Sequence, residues 1–256
     1  MAAQSTRLAA RAFGLCLLIT CLAGCASKDS TTYDKRDPFE PVNRVVFNIN
    51  DVADRIVFRQ AAYTYELFVP SLARRGVNNF FSNLGTVRDM VNNFLQGKPR
   101  RGLSDAARFG LNTTLGWGGL FDPATDAGLA KHNEDFGQTL GVWGLPPGPY
   151  LMLPLLGPQT TRSTVGFIVD RQYSLLFNYN NNDVRTRLLI LNIVRIRANL
   201  LFLNEQLDRA YDPYVFVRDA ILQRQRFLRY DGRVPPETNK LEEGLDDLSF
   251  DEDEEF

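Results

Sequence analysis

The sequence has very little cysteine and histidine. Its three cysteines, Cys16, Cys21 and Cys25, all lie in the first tenth of the 256 residues, and His132 is the only histidine. The rest of the chain therefore cannot form a disulfide framework or a cysteine-based zinc site. The sequence contains neither a GxSxG nucleophile motif nor a GxxxxGK[ST] phosphate loop. These absences argue against an enzyme and against a nucleotide-driven transporter, and no metal or cofactor is predicted.

The sequence also lacks an overall excess of charge. The formal net charge is -1, with 44% apolar and 23% charged residues. These values exclude a disordered polyampholyte and disfavour a strongly basic nucleic-acid binder. The charge is unevenly divided, because residues 237–256 contain ten acidic residues and one lysine, whereas residues 25–236 have a net charge of +6. Since like charges repel, we predict a disordered acidic tail over residues 233–256.

The N-terminus is typical of a secretory signal. Arg7 and Arg11 precede an apolar run over residues 12–23. This run is shorter than the roughly 20 residues that a membrane-spanning helix needs. It ends in LAGC at residues 22–25, which resembles the lipobox of bacterial lipoproteins. We predict a lipoprotein signal peptide over residues 1–24, the alternative being an ordinary cleaved signal.

Acylation of Cys25 would attach the chain to a membrane. Each buried CH2 group of an acyl chain contributes about 0.8 kcal/mol, so several chains together anchor a protein stably. The next residue is Ala26 rather than aspartate, which resembles an outer-membrane address in the sorting pattern of Gram-negative lipoproteins. Residues 25–36 are polar and unperiodic, so they are predicted to form a lipidated tether before a helical domain over residues 37–232.

The body of the chain shows helical periodicity and almost no period-two alternation, which predicts a mainly α fold. The first helix is predicted to be capped by Asp37 and to run to about Arg59. Spacings of three and four residues place its apolar residues in one stripe, formed by Phe39, Val42, Val46, Ile49, Ala53 and Ile56. Seven further helices are predicted over residues 70–80, 86–95, 103–111, 133–142, 160–170, 185–202 and 213–230.

The seventh predicted helix contains four arginines, Arg185, Arg187, Arg195 and Arg197, within an almost continuous apolar run. Such a helix can lie at a lipid–water boundary with its guanidinium groups extended towards phosphates. Alternatively, it is a core helix whose arginines occupy one exposed edge. Both interpretations fit the sequence.

An unusual apolar segment, GVWGLPPGPYLMLPLLGP, occupies residues 141–158. Its five prolines exclude a helix. A segment without regular structure has backbone groups that hydrocarbon cannot satisfy, so we expect it to be buried in protein or to line a cavity. A well-packed structural loop is the simpler alternative.

Five runs of the body, taken together, resemble a known family. They are DPFEPVNRVVFNIN (37–50), NNFLQGKPRRGLSDAARFGLNTTLGWGGLFDPA (92–124), EDFGQTLGVWG (134–144), GPYLMLPLLGP (148–158) and DPYVFVRDAILQRQRF (212–227). Together with the lipobox, they resemble the MlaA (also called VacJ) family of outer-membrane lipoproteins. Gln159 and Ser163 depart from the family's commoner GPSxxRD form, so the resemblance does not carry an acidic role to position 163.

The resemblance implies a disc of short amphipathic helices in the inner leaflet of the outer membrane, around a central amphipathic channel. It implies that mislocalised phospholipids leave the outer leaflet through this channel. Their removal maintains the lipid asymmetry of the membrane. The implied partners are phospholipid, a trimeric outer-membrane porin and a soluble periplasmic lipid carrier, with no nucleic acid. Alternatives are a structural porin-associated lipoprotein and, with less support, a lipid hydrolase.

Candidate site residues follow from the resemblance and from residue chemistry. Phe47 and Asn48 lie in the family's FNxN run and are expected to control opening, although a simple core role for Phe47 fits equally well. Arginine binds phosphate through two parallel hydrogen bonds, so Arg44, Arg162 and Arg195 are candidate phosphate contacts. We expect the apolar loop to gate the channel through Leu145, Pro149, Tyr150, Leu151, Met152, Leu153, Leu155 and Leu156.

Overall fold

The structure is a computed structural model that describes residues 34–236. The predicted signal peptide, the lipidation site Cys25 and the acidic residues from Glu237 onwards lie outside the described residues. Within the described part the chain is mainly helical, as the sequence predicted.

Ten α-helices and one β-hairpin make up the described residues. The helices are α1 (Glu40–Ala53), α2 (Arg59–Phe68), α3 (Ser71–Leu95), α4 (Pro99–Thr114), α5 (Pro123–Asp126), α6 (Phe136–Val142), α7 (Thr161–Tyr173), α8 (Asn182–Ala198), α9 (Asn204–Arg209) and α10 (Pro213–Arg229). The strands are β1 (Tyr150–Leu153) and β2 (Gly157–Thr160), which pair antiparallel.

The first helix is longer than predicted because a π-helical turn over Asp54–Phe58 joins α1 to α2 without a break. No proline or glycine follows until Pro70, so nothing in the sequence ends the helix near Arg59. The predicted capping role of Asp37 is wrong. The helix begins after Phe39 without a side-chain cap, and the Asp37 carboxylate bonds to side chains elsewhere.

The predicted second and third helices form one helix, α3. Gly85 lies at the predicted break, but the backbone continues through it as helix. A glycine inside a helix costs about 1 kcal/mol, which packing along α4 offsets. The predicted caps of α4, Ser104 or Asp105, are also wrong, because α4 begins earlier, at Pro99.

Other predicted helix starts are confirmed. The Asp212 carboxylate accepts hydrogen bonds from the backbone N–H groups of Tyr214 and Val215, which caps α10 as expected. At α7, Thr160 and Ser163 form a reciprocal capping box. The sequence signals therefore located these helix starts within one or two residues.

The polarity of this fold is inverted relative to an ordinary globular domain. Among the described residues, eight apolar side chains are buried, compared with eighteen polar or charged ones. The apolar stripe of α1 faces outwards, with Ile49 59% and Ile56 68% exposed. Contiguous apolar surface of this kind marks a protein or membrane contact. Over residues 34–236, no helix has both the length and the apolar content needed to cross a bilayer.

The helix α8 shows the same inversion. Ile190, Ile193 and Ile196 are exposed on one face, while Arg195 and Arg197 turn inwards. Arg197 forms an ion pair with Asp54, in which its Nη2 donates to Oδ2 over 2.7 Å. Both sequence interpretations of α8 are therefore wrong for these two arginines, since neither guanidinium extends into the surroundings.

The polar interior is held together by hydrogen bonds between side chains. Between α3, α6 and α7, the Nδ2 group of Asn92 donates to Asp170 over 3.0 Å, and the Thr139 hydroxyl donates to Asn92 Oδ1 over 2.8 Å. Burial raises the pKa of Asp170, and it raises the pKa of Asp89 to about 6. Each buried polar group of this kind needs a partner, because an unpartnered one costs about 1–3 kcal/mol.

His132 also contacts this polar interior. Its Nδ1 lies 2.7 Å from Asp105 Oδ1, and its side chain is mostly buried. The other oxygen of Asp105 accepts a 2.7 Å hydrogen bond from Asn93. Asp105 thus connects α4 to α3 and to the segment before α6.

Replacing Asp105 should destabilise the fold strongly. We expect Asp105→Ala to lower the free energy of unfolding by about 2–4 kcal/mol, because it leaves the buried Asn93 amide and the His132 ring without their acceptor. Urea denaturation in detergent micelles, followed by circular dichroism, measures the change. Asp183→Ala, at an exposed aspartate of α8, is the control and should change stability by less than about 1 kcal/mol. Equal effects of the two variants would contradict the role given to Asp105.

Candidate functional site

A cavity of about 570 Å³ lies between the first helix, α9 and the start of α10. Its lining combines charged and apolar side chains, namely Arg44, Phe47, Asn48, Asp51, Arg55, Arg59, Leu207, Asp208, Asp212, Pro213 and Tyr214. Three of the predicted site residues, Arg44, Phe47 and Asn48, therefore line one cavity. Within residues 34–236, no cluster of His, Cys, Asp or Glu is arranged to hold a metal ion.

Arg44 joins the first helix to α10 across this cavity. Its Nη2 donates to Asp212 Oδ2 over 2.8 Å, and its Nε donates to Glu40 over 2.7 Å. Its guanidinium carbon also lies 4.5 Å from the centre of the Tyr214 ring. The hydrogen bond from Arg44 is the main cause of the lowered pKa of Asp212. The predicted phosphate contact is thus already engaged by carboxylates, and an incoming phosphate would have to compete with them.

The π-helical turn places two further arginines on the cavity wall. Arg55 pairs with Asp51 over 2.9 Å. Arg59 lies 3.5 Å from Asp54 and 3.8 Å from Asp208, and its buried Nη2 has no hydrogen-bond partner. π-turns are frequent at functional sites, because the extra residue redirects the side chains that follow. Arg59 is therefore the least satisfied cation of this cavity.

Phe47 contributes the apolar side of the cavity and also packs in the core. Its ring meets the Tyr214 ring edge to face, with centroids 5.7 Å apart, and it packs beside the buried cluster of Tyr150, Met152 and Tyr214. Asn48 is exposed at the same cavity. Phe47 thus has the core role that the sequence left open, and control of opening by Phe47 and Asn48 stays a prediction.

The apolar segment contains regular structure, contrary to the sequence expectation. Its residues form the hairpin β1–β2, with Tyr150 opposite Thr160 and Leu153 opposite Gly157. Side chains of a strand alternate between faces, so Tyr150 and Met152 point into the core. The segment is only partly buried, because Leu155 near the tip of the hairpin is 74% exposed.

The remaining members of the predicted gating loop take different positions around this hairpin. Leu151 and Leu153 are partly buried, whereas Leu156 is exposed beside the tip. Before β1, the exposed Leu145 accepts a hydrogen bond through its carbonyl from Arg162, and the Pro149 carbonyl accepts one from the Thr161 N–H. The base of the hairpin is therefore tied to the start of α7, while its tip projects outwards.

Two asparagines of α1 fasten the hairpin to the first helix. The Nδ2 of Asn43 donates to the Tyr150 carbonyl over 3.1 Å, and its Oδ1 accepts from the Met152 N–H over 2.9 Å. About two turns further along α1, the Nδ2 of Asn50 donates to the Leu153 carbonyl, and its Oδ1 accepts from the Leu155 N–H, each over 2.9 Å. The helix side chains therefore supply the partners that an open strand edge lacks.

Sequence reasoning missed this contact. The available signal was the spacing of seven residues between Asn43 and Asn50, which places two amides on one face of a helix. Nothing local identified the strand that they bind, which lies about a hundred residues further along the chain.

A buried ionic junction lies beside Tyr150, at the start of β1, where Asn43 holds the hairpin. The Asp37 carboxylate accepts hydrogen bonds from the Asn43 amide, over 2.8 Å, and from the Tyr214 hydroxyl. The buried Arg218 lies 3.1 Å from Asp34 and 3.6 Å from Asp37. This junction holds α1, α10 and the hairpin together, because a buried charge without partners is strongly unfavourable.

The other two predicted phosphate contacts lie elsewhere. Arg195 bonds to Asn192 and Asn78 and lies over the Phe81 ring, between α8 and α3. Burial lowers its pKa. Arg162 lies at the start of α7, beside a second cavity. The three candidate arginines therefore occupy three separate places and do not form one phosphate site.

Comparison with known proteins places this arrangement among relatives. The family model described as MlaA lipoprotein matches residues 35–228. The intermembrane phospholipid transport system lipoprotein MlaA of Escherichia coli (strain K12) is 36% identical over 245 residues, which cover 94% of this chain and 96% of that protein. The protein of the same name from Haemophilus influenzae is 29% identical over 230 residues, which cover 88% and 92%.

A solved structure is also similar. It belongs to work on the structural basis for maintenance of bacterial outer membrane lipid asymmetry. The two chains are 40% identical with a TM-score of 0.68, and the match covers 75% of this chain and 98% of the other.

Removing the outer asparagine should loosen the hairpin. In Asn50→Ala, the Leu155 N–H loses its acceptor, so we expect amide exchange in a peptide covering residues 150–156 to become about tenfold faster. Hydrogen–deuterium exchange with mass spectrometry measures this. Asn180→Ala, at an exposed asparagine in the loop before α8, is the control and should leave the exchange unchanged. Unaltered exchange in Asn50→Ala would contradict the fastening role.

Proposed function

This chain belongs to the MlaA lipoprotein family, and we propose that it is the lipoprotein of an intermembrane phospholipid transport system. In this role it removes mislocalised phospholipids from the outer leaflet of the outer membrane and so maintains lipid asymmetry. The observation that carries the proposal is the inverted polarity, with apolar side chains outside and hydrogen-bonded polar side chains inside.

The inversion suits the physical problem of moving a phospholipid between leaflets. A charged headgroup in hydrocarbon costs several kcal/mol. Acyl tails in water forfeit about 0.8 kcal/mol per CH2 group. A protein with a lipid-facing apolar exterior and a charged passage removes both costs. The exposed faces of α1 and α8 provide the apolar exterior, and the polar interior provides groups that can accompany the headgroup.

We propose that headgroups pass the cavity beside Arg44, Phe47 and Asn48. Arginines and aspartates both line its wall, so a phosphate can exchange with an aspartate as the partner of an arginine. Phe47, Leu207 and Pro213 offer an apolar side to the glycerol and upper tail. Arg59, with an unpartnered buried nitrogen, is an additional phosphate contact that sequence analysis did not identify.

We further propose that the hairpin gates this passage. It packs on α1 beside Phe47, and the hydrogen bonds of Asn43 and Asn50 give it a defined closed position. The gating residues are those predicted from the sequence, namely Leu145, Pro149, Tyr150, Leu151, Met152, Leu153, Leu155 and Leu156.

The proposed location is the inner leaflet of the outer membrane, with Cys25 as the acylated anchor. The proposed partners are phospholipid, a trimeric outer-membrane porin that contacts the exposed apolar faces, and a soluble periplasmic carrier that receives the lipid. These assignments rest on the family resemblance. The apolar surface of α1 and α8 is compatible with both a lipid and a porin neighbour.

Deletion and complementation test the transport proposal. We expect deletion to raise the phospholipid content of the outer leaflet and the wild-type gene to restore it. Altered porin assembly without that rise would favour a structural lipoprotein, and altered lysolipid would favour a hydrolase.

Locking the hairpin should block transport. The double variant Asn50→Cys/Leu155→Cys joins two positions that a 2.9 Å hydrogen bond connects. We expect its oxidised form to fail to restore lipid asymmetry and its reduced form to restore it at least in part. The two single-cysteine variants control for the loss of each side chain. Full complementation by the oxidised form would rule out gating by the hairpin.

Loss of the anchor should mislocalise the chain. We expect Cys25→Ala to move the protein out of the outer-membrane fraction, because without acylation it lacks both the lipid anchor and the outer-membrane address. Membrane fractionation with immunodetection measures its distribution. Cys21→Ala, four residues upstream, is the control and should fractionate like the wild type. Normal outer-membrane fractionation of Cys25→Ala would count against the lipobox.

A further inference from the structure

A second cavity, of about 180 Å³, lies between α6, β2, α7 and the C-terminal half of α10. The first cavity meets α10 at its opposite end, at Pro213 and Tyr214. The charged and polar side chains that define the second cavity are Asp135, Gln159, Arg162, Ser163, Arg224 and Gln225. The sequence named one of them, Arg162, as a candidate phosphate contact, but neither the sequence motifs nor the proposed lipid passage assigns a role to the cavity itself.

Arg162 is the central cation of this cavity and is poorly satisfied. It is 93% buried, since only 7% of its surface is exposed. Its Nη1 donates to the Leu145 carbonyl over 2.9 Å, but its buried Nε has no partner. Burial, and then the neighbouring Arg229, lower the pKa of Arg162. No carboxylate between residues 34 and 236 forms an ion pair with it.

The surrounding groups neutralise this cation only in part. Arg224, exposed on α10, adds a second positive charge. Asp135 supplies one negative charge, which favours the charged form of Arg162, but its carboxylate is held as the cap of α6, where Oδ1 accepts from the Gln138 N–H over 2.7 Å and Oδ2 from the Gln138 amide over 3.0 Å. Two arginines against one aspartate leave the cavity with an excess of positive charge.

The remaining polar groups are neutral and already ordered. The Ser163 hydroxyl donates to Gln159 Oε1 over 2.6 Å, and it accepts from the Gln225 amide over 3.2 Å. This network joins β2, α7 and α10 without supplying a negative charge. A small anion between Arg162 and Arg224 would supply the negative charge that this network lacks.

We propose that this second cavity binds a phosphate group between Arg162 and Arg224. Its volume is several times the roughly 30 Å³ that a water molecule occupies, so it has room for a tetrahedral oxyanion and some of its water. Arginine suits this ligand because its fork donates parallel hydrogen bonds to phosphate oxygens. The phosphate comes from inorganic phosphate or from a lipid headgroup, which share this chemistry.

Binding here would brace the base of the hairpin. The cavity touches β2 through Pro158 and Gln159, and Arg162 already holds the carbonyl of Leu145 ahead of β1. A bound phosphate therefore links the hairpin base to α10. This site goes beyond the proposed lipid passage and does not depend on it.

Two variants test the site in the full-length chain in detergent micelles, at pH 7 and constant ionic strength. Ser163→Asp places a carboxylate beside Arg162, in the first turn of α7, where an acidic residue also suits the helix dipole. Arg224→Gln removes one cation from an exposed position. Arg187→Gln, at an exposed arginine of α8, is the matched control. Circular dichroism verifies that each variant is folded.

Inorganic phosphate and glycerophosphoethanolamine are titrated separately, with calorimetry and the thermal midpoint as readouts. We expect saturable binding by the wild type that raises its thermal midpoint. Ser163→Asp and Arg224→Gln should each weaken binding about tenfold or more, whereas Arg187→Gln should not. Binding of glycerophosphoethanolamine assigns the site to a lipid headgroup, and binding of inorganic phosphate alone assigns it to the free anion.

Three outcomes would overturn the proposal. They are the absence of saturable binding of either probe, undiminished binding by Ser163→Asp, and an equal loss of affinity in Arg187→Gln. The transport proposal is tested separately, by measuring the phospholipid content of the outer leaflet after deletion and complementation.

Discussion

The buried junction of Asp37 with Asn43, Tyr214 and Arg218 holds together the parts of the molecule that function requires. It connects the start of the first helix, the start of α10 and the hairpin through hydrogen bonds and ion pairs that are hidden from solvent. In an ordinary domain, the packing of apolar side chains holds such elements together. Here buried polar side chains outnumber buried apolar ones among the described residues, so directional polar bonds fix much of the relative position of the helices. Such bonds tolerate little misplacement, because an unpartnered buried group is costly.

The sequence predicted helices better than it predicted their surroundings. The helix starts near Thr160 and Pro213 were found because the signals for a helix start lie close together in the chain. The stripe of α1 was also found, but a spacing of three and four residues is the same for a helix that faces a core and for one that faces lipid. Periodicity therefore identified the stripe and could not tell that Ile49 and Ile56 point outwards.

The hairpin and the cavity show a second limit. Five prolines excluded a helix in the apolar segment, but the strand partners of Asn43 and Asn50 lie about a hundred residues away. Arg44, Phe47 and Asn48 were identified because the family motif marks them, and Asp208 was missed because it reaches the cavity only through tertiary packing. Side chains whose role depends on a distant segment carry little local signal.

The π-helical turn at Asp54–Phe58 has a consequence for how this chain can change by insertion or deletion. Each residue of an α-helix advances by about 100° around the axis, and a π-turn winds less tightly, so it accommodates one extra residue while the two halves of the 40–68 helix keep nearly the same faces. Deleting a single residue there would restore regular winding and leave Arg59 on nearly the same face of α2. A deletion of one residue in the regular part of α1 would instead rotate every later residue of the helix by about 100°.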